Sequence, residues 1–282
     1  MDRSEAKINV FEMPVKLLYN ISMFISADKQ LKLLSGYWFP LTIIIQKRRI
    51  IMADSLNGYL STKEAKAARR VFNKDAVIIS DRAYNAIIGG VLLWGFLINT
   101  ITCYFFTDEI VQLDAKFIII TYFCSCIAGT LLVHDSKNAF VSFIGYNLIV
   151  APVGILLSVA LSQVDSGLIF RAFLVTTLVT IIMLVSSTIL PEFFLSLRTT
   201  LMISLLAVII AEPLMTIFLR VNAGIFDWIV VLIFCGYIGY DWSMANQYQK
   251  TVNNAVDSAA DLYLDIINLF LRILRIFSRK RK

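Results

Sequence analysis

Uncharged apolar runs of about twenty residues recur along this chain, and they restrict its fold more than any other feature. A hydrocarbon layer about 30 Å thick is crossed by about 20 helical residues rising 1.5 Å each. Within that layer every backbone N–H and C=O must bond inside its own segment, so such runs fold as helices. Seven hydrophobic segments are read as spans, at 84–106, 117–133, 139–161, 168–190, 199–219, 228–247 and 255–277, the first three of them uncharged. The connections between them are short and leave no room for a soluble domain. The sequence predicts an all-α polytopic membrane protein, a bundle of seven transmembrane helices with a semi-polar last member. Residues 1–83 read as an N-terminal cytoplasmic segment, 84–277 as the membrane domain and 278–282 as a basic tail.

Composition agrees. Charged residues make up 16% of the chain and hydrophobic ones 58%, where a soluble domain carries about 25% charged residues. The net charge of +6 sits mostly before the first span and in the tail. Charges that flank spans and follow no groove-reading motif point to a lipid surface, not to nucleic acid. Cys103, Cys124, Cys126 and Cys235 all lie in apolar runs without disulfide or zinc spacing, and read as small buried hydrophobes. His134 is the only histidine, which excludes a multi-histidine metal site. No cofactor is expected.

Loop charge sets orientation. Lys63, Lys66, Arg69, Arg70, Lys74 and Arg82 precede the first span, the loop after it (107–116) is acidic, and Lys137 and Arg198 fall in even-numbered loops. The N-terminus and the hairpin between the last two spans are therefore expected in the cytoplasm. Seven crossings put the C-terminus outside, whereas its basic tail favours the inside. Either the last segment re-enters or the earlier spans outvote the tail; the reading taken is seven crossings. Ser61 and Glu64 have capping-box spacing ahead of Ala65, Ala67 and Ala68, which predicts a short soluble helix. The apolar stretch 31–45 is too short to span well and lacks the cleavage site of a signal peptide. Lys47-Arg48-Arg49-Ile50-Ile51 can be encoded by a purine-rich stretch like a bacterial ribosome-binding site, correctly placed before Met52. This predicts a start at Met52, with 1–51 a start-site artefact or a variable extension.

Two aspartates stand in the last two apolar segments, in Gly236-Tyr-Ile-Gly-Tyr-Asp241 and in Leu262-Tyr-Leu-Asp265-Ile-Ile-Asn-Leu-Phe270. A carboxylate at mid-membrane costs about 2.5–3.5 kcal/mol on insertion scales, so a neighbouring pair invites a functional explanation. The interval of 24 residues has its midpoint at Asn253, inside the polar run 249–254. Two antiparallel helices leaving a turn there carry both aspartates back about 12 residues, roughly 18 Å. Like carboxylates held close cannot both ionise cheaply and titrate as a unit. The expected behaviour is a shared proton at low pH and a repulsive or cation-binding pair at higher pH. Hard oxygen ligands favour calcium there over transition metals. A structural hydrogen bond between two helices is the plainer alternative.

Asp257, Asp261 and Asp265 repeat every four residues and share one helix face. Asp261 lines a path inward or is solvated; Asp257 is expected in the solvated headgroup region. Arg272 shares the face of Asp265, although snorkelling to the interface is the expectation for both Arg272 and Arg275. Glu212, next to Pro213, is either a third carboxylate of the path or a locally satisfied group near the outer end. Pro152 and Pro213 are candidate kinks. His134-Asp135 reads as an interfacial loop pair, and Trp228, Tyr240 and Trp242 as packing or interface anchors.

Gly239-Tyr-Asp241, the string from Leu262 to Arg275 and the interval between the aspartates make the chain resemble the Bax inhibitor-1 (transmembrane Bax inhibitor motif) family, bacterial type, over roughly residues 80–282. The resemblance implies a seven-helix fold with a central last helix. It also implies a di-aspartyl pH sensor, carried here by Asp241 and Asp265, that gates a passive calcium leak. In bacterial relatives an arginine on the second span engages the pair. The corresponding stretch here, Leu132-Val-His-Asp-Ser-Lys137, has none, so the closing partner is unassigned.

The resulting expectation is a pH-sensitive leak for calcium or other cations in a bacterial plasma membrane, with lipid, calcium ions and protons as partners, and not an enzyme. A non-transporting regulator that binds other membrane proteins through the basic N-terminal segment is the alternative. Intramembrane aspartyl proteases also pair two aspartates, but Leu262-Tyr-Leu stands where they have Gly-x-Gly before the second, and no Pro-Ala-Leu follows.

Overall fold

The computed structural model describes Lys16, Arg70 and residues 76–218 and 224–279. The expected helix from Ser61, the stretch 31–45, Met52 and the tail beyond Arg279 lie outside the described residues. Nine helices follow one another among the described residues: α1 (Asp81–Phe105), α2 (Thr107–Ile110), α3 (Ala115–Asp135), α4 (Ala139–Leu161), α5 (Ser166–Ile189), α6 (Pro191–Ser196), α7 (Arg198–Phe218), α8 (Gly224–Gln247) and α9 (Val252–Arg279). The described residues hold no strand. Five of these helices, α1, α3, α4, α5 and α8, are long and apolar enough to cross a membrane.

Side chains of the short connections start several of the helices. Ser80, Asp114, Asn138 and Asp165 each accept a hydrogen bond from a first-turn amide, at Ala83, Lys116, Phe140 and Gly167 respectively. These caps satisfy donors that a helix cannot pair internally. The turn between α8 and α9 is shorter and earlier than the expected 249–254. Thr251 Oγ1 accepts from the Asn254 amide at 3.1 Å, which winds Asn253 and Asn254 into the first turn of α9. The two arms are therefore unequal: Asp241 lies six residues before Gln247, and Asp265 thirteen after Val252.

The outer helices turn apolar side chains outward, as a hydrocarbon surround allows. On α5, Phe170, Phe173, Leu178, Ile181 and Val185 are exposed while Thr176, Thr180 and Ser187 are buried. Pro152 lies inside α4, which runs on to Leu161. The most polar long segment holds the middle. α9 packs against α1, α3, α4, α5 and α8 and buries Asn254, Asp257, Ser258, Asp265, Asn268 and Arg272.

Hydrogen bonds between helices make this tolerable. Asn99 Nδ2 donates to Tyr263 Oη at 2.5 Å, Tyr84 Oη and Ser258 Oγ share a bond at 3.2 Å, and Tyr146 Oη donates to the Val91 carbonyl at 2.9 Å. In an apolar surround such bonds contribute about 0.6 kcal/mol each on average.

Apolar contact alone does not drive helices together in lipid, so small residues that admit close backbones carry more of the task. A Cβ on Gly129 of α3 would lie 2.6 Å from the Gly145 carbonyl oxygen, and one on Gly145 of α4 would lie 2.8 Å from that of Gly129. Gly145→Val is therefore expected to lower stability by about 1–3 kcal/mol through overpacking, read as an earlier thermal or denaturant midpoint in detergent. A Cβ on Gly90 of α1 would meet no atom within 4 Å, so Gly90→Ala is the control and leaves the midpoint unchanged or higher.

Candidate functional site

Asp241 of α8 and Asp265 of α9 meet on one cation. The Lys16 ammonium lies 2.7 Å from Asp241 Oδ2 and 2.7 Å from Asp265 Oδ1. It also sits over the ring of Tyr237, 4.3 Å from the centroid. Tyr237 is one turn before Asp241, so α8 presents ring and carboxylate on the same face. Asp265 is 0% exposed, Lys16 2% and Asp241 8%, so water screens this triad little. A single buried ammonium between two carboxylates leaves one negative charge uncompensated when both acids are ionised.

Sequence reasoning left the closing partner open and missed Lys16. The available signal was one lysine in the largely apolar Val10–Phe24, far from the basic clusters that mark topology. Nothing local couples that lysine to acids more than two hundred residues away. Only the tertiary fold makes the pairing.

The acidic stripe continues from this triad toward the hairpin, and a second cation lies on it. Arg70 Nη2 is 3.0 Å from Asp257 Oδ2, and Arg70 Nη1 is 3.8 Å from Asp261 Oδ2. Arg70 Nη2 also lies 2.8 Å from Nδ1 of His134. The Arg70 carbonyl accepts from the Gln249 amide at 2.9 Å and from Asn254 Nδ2 at 3.0 Å. Burial works against its charge, but Asp257, Tyr248 and Asp261 outweigh it and hold the guanidinium above the ordinary arginine range. Asp257 is 1% exposed, contrary to the expectation of a solvated headgroup position. The loop after α3 and the hairpin close over it together, and Asn253 Nδ2 donates to its Oδ2 at 3.3 Å. Beside it a cavity of about 480 Å³ is walled by Arg70, His134, Asp135, Lys137, Gln249, Asn253, Asn254 and Asp257.

Glu212 and Arg272 form a separate cluster farther along α9. Arg272 is fully buried and takes Glu212 as a fork, Nη1 to Oε1 at 3.2 Å and Nη2 to Oε2 at 2.6 Å. It also pairs with Asp227 of α8. Arg275 reaches Glu212 at 2.9 Å, and Arg279 reaches Asp227 Oδ2 at 2.8 Å. Arg272 therefore does not snorkel. Two buried acids from α7 and α8 hold it in place, because an unpaired guanidinium there would cost several kcal/mol. Asp227 was not anticipated: it stands one residue before the apolar run 228–247 and reads locally as a loop acid.

The family described as inhibitor of apoptosis-promoting Bax1 matches residues 77–282. Protein LIFEGUARD 4 of Arabidopsis thaliana is 42% identical over 59 residues, covering 21% of this chain and 23% of the relative. An uncharacterized membrane protein of Streptococcus pyogenes serotype M3 is 32% identical over 121 residues, covering 39% of this chain and 52% of the relative. The chain thus spans about a quarter to a half of the length of these relatives. With the family match running through every helix from α1 to α9, the chain belongs to the Bax inhibitor-1 family.

Proposed function

We propose that this protein is a passive, pH-sensitive leak for calcium and related cations, gated by Asp241 and Asp265, with Lys16 as the closing partner. It crosses a bacterial plasma membrane seven times with its N-terminal segment in the cytoplasm, and it is a conductor, not an enzyme. The observation that carries the reading is the pair of buried carboxylates, from two helices, on one ammonium.

The electrostatics support it. Among the described residues, three carboxylates of this half of α9, Asp257, Asp261 and Asp265, and Asp241 of α8 pair with two cations, Lys16 and Arg70. The excess of negative charge favours a cation over an anion. Calcium takes six to eight oxygen ligands. Two carboxylates supply at most four, so an ion at the pair keeps part of its water and leaves again easily. Lys16 occupies the position between the carboxylates that such an ion needs. Ion and ammonium therefore compete, and protons remove the site from both by neutralising the pair. The cavity beside Asp257 serves as the cytoplasmic mouth. Asp261 lies between mouth and pair on the same face, while Glu212 and Arg272 brace the far end of α9 around the path.

Calcium flux from proteoliposomes measured against pH tests the gate. Flux is expected to rise with pH as the pair ionises, and Asp241→Asn or Asp265→Asn is expected to flatten that dependence. Wild-type pH dependence in both variants would refute the mechanism.

Lys16 is tested separately. Lys16→Gln removes the tethered competitor, so flux above neutral pH is expected to increase several-fold, on the order of tenfold for about 1.4 kcal/mol of lost competition. Below the pH at which the pair is protonated the difference vanishes, because neither ammonium nor calcium is then held. A chain begun at Met52 lacks Lys16 and is expected to match Lys16→Gln; equal flux from the Met1 and Met52 chains would remove Lys16 from the gate.

A further inference from the structure

A second charged group lies at the corner between α6 and α7, beside the stretch of α8 that leads to Asp241: Phe194 packs on Gly239 and Leu201 on Gly236. Arg198, the first residue of α7, is 5% exposed, and none of its three guanidinium nitrogens has a hydrogen-bond partner among the described residues. Every other arginine buried to this degree among the described residues is held by acids: Arg272 by Glu212 and Asp227. Glu192, the acid of the neighbouring α6, is exposed and does not pair with Arg198. An isolated buried cation is among the most costly groups a fold can carry.

Its position raises that cost. The amides of the first helical turn lack intrahelical acceptors and give this end of a helix a partial positive charge. In α7 the bonds begin with Leu201, whose amide donates to the Leu197 carbonyl at 2.8 Å. A guanidinium at that end is repelled, unless an anion sits between it and the amides. The same amides and the same guanidinium are together a strong donor set for a tetrahedral oxyanion.

The surroundings say at what level the anion sits. Ile189, Leu190 and Phe193 are 70%, 58% and 56% exposed, an apolar skirt around the corner. Phe194 is buried and anchors α6 against Gly239 of α8. A corner with an apolar skirt and a cation behind it fits the boundary where hydrocarbon gives way to phosphate headgroups.

We propose that the α6–α7 corner binds a phosphate group, carried on an anionic lipid headgroup or free in solution, with Arg198 and the first-turn amides of α7 as donors. The long arginine side chain turns its fork to the bound oxygens. Their charge supplies the partner that the described residues do not. The site does not require that the protein conduct ions.

The test uses the full chain in nanodiscs of phosphatidylcholine, with or without phosphatidylglycerol, and reads the thermal midpoint. Phosphatidylglycerol is expected to raise the wild-type midpoint by about 2–4 °C or more. Arg198→Gln is expected to lose most of that rise, and Arg82→Gln, which alters an exposed arginine of α1, to keep it. Inorganic phosphate added to phosphatidylcholine discs distinguishes the sources: a wild-type rise that Arg198→Gln lacks assigns free phosphate, and no rise assigns the headgroup. Equal responses of wild type and Arg198→Gln to both additions overturn the proposal. Should Arg198→Gln not fold, native mass spectrometry of the wild-type chain decides. Retention of phosphatidylglycerol or phosphate over phosphatidylcholine supports the site, and equal retention or none overturns it.

Discussion

Six charged side chains of α9, three of them buried and three half-buried, have to be kept paired, and the arrangement of the bundle depends on it. Asp257, Asp261, Asp265, Arg272, Arg275 and Arg279 all lie on the helix that packs against most of the others. Each has a partner from elsewhere in the chain: Arg70 for Asp257 and Asp261, Lys16 for Asp265, Glu212 and Asp227 for the three arginines. A buried pair is only weak evidence for stability, since desolvation consumes most of the attraction. Removing one partner, however, costs about 3–5 kcal/mol. The pairs therefore act mainly by excluding other arrangements. Any rotation or slip of α9 would strand several charges at once.

The two ends of α9 are handled differently. At the far end, Glu212 and Asp227 belong to the helices α7 and α8 and grip three arginines. At the hairpin end, the partners Lys16 and Arg70 precede α1 in the chain, and both are themselves largely buried against the carboxylates. A brace built from the bundle itself is hard to undo.

Much of the fold was legible. The apolar runs located the long helices to within a few residues, because hydrocarbon enforces helix and length at the same time. The string from Leu262 to Arg275 marked the semi-polar helix and the family. Capping residues were less well used. Thr251 moved the turn away from Asn253, so the equal-depth argument for Asp241 and Asp265 rested on a symmetric hairpin that does not exist. The aspartates still meet, through Lys16. Asp257 and Arg272 were misjudged for one reason: a charge near a helix end reads as solvated or snorkelling when its partners are distant in sequence.

By itself, the sequence determined the helical membrane class, the approximate bounds of the long segments, the family and the two costly aspartates. These follow from local rules: backbone satisfaction in hydrocarbon, the helical period, and the penalty for an apolar-embedded carboxylate. The tertiary structure alone decided which cation meets which acid, that Lys16 joins Asp241 to Asp265, and that Arg198 has no hydrogen-bond partner among the described residues. Those outcomes depend on distances between segments as many as 249 residues apart, and the pairing energy falls off within a few ångströms. No local pattern of residue types carries that information.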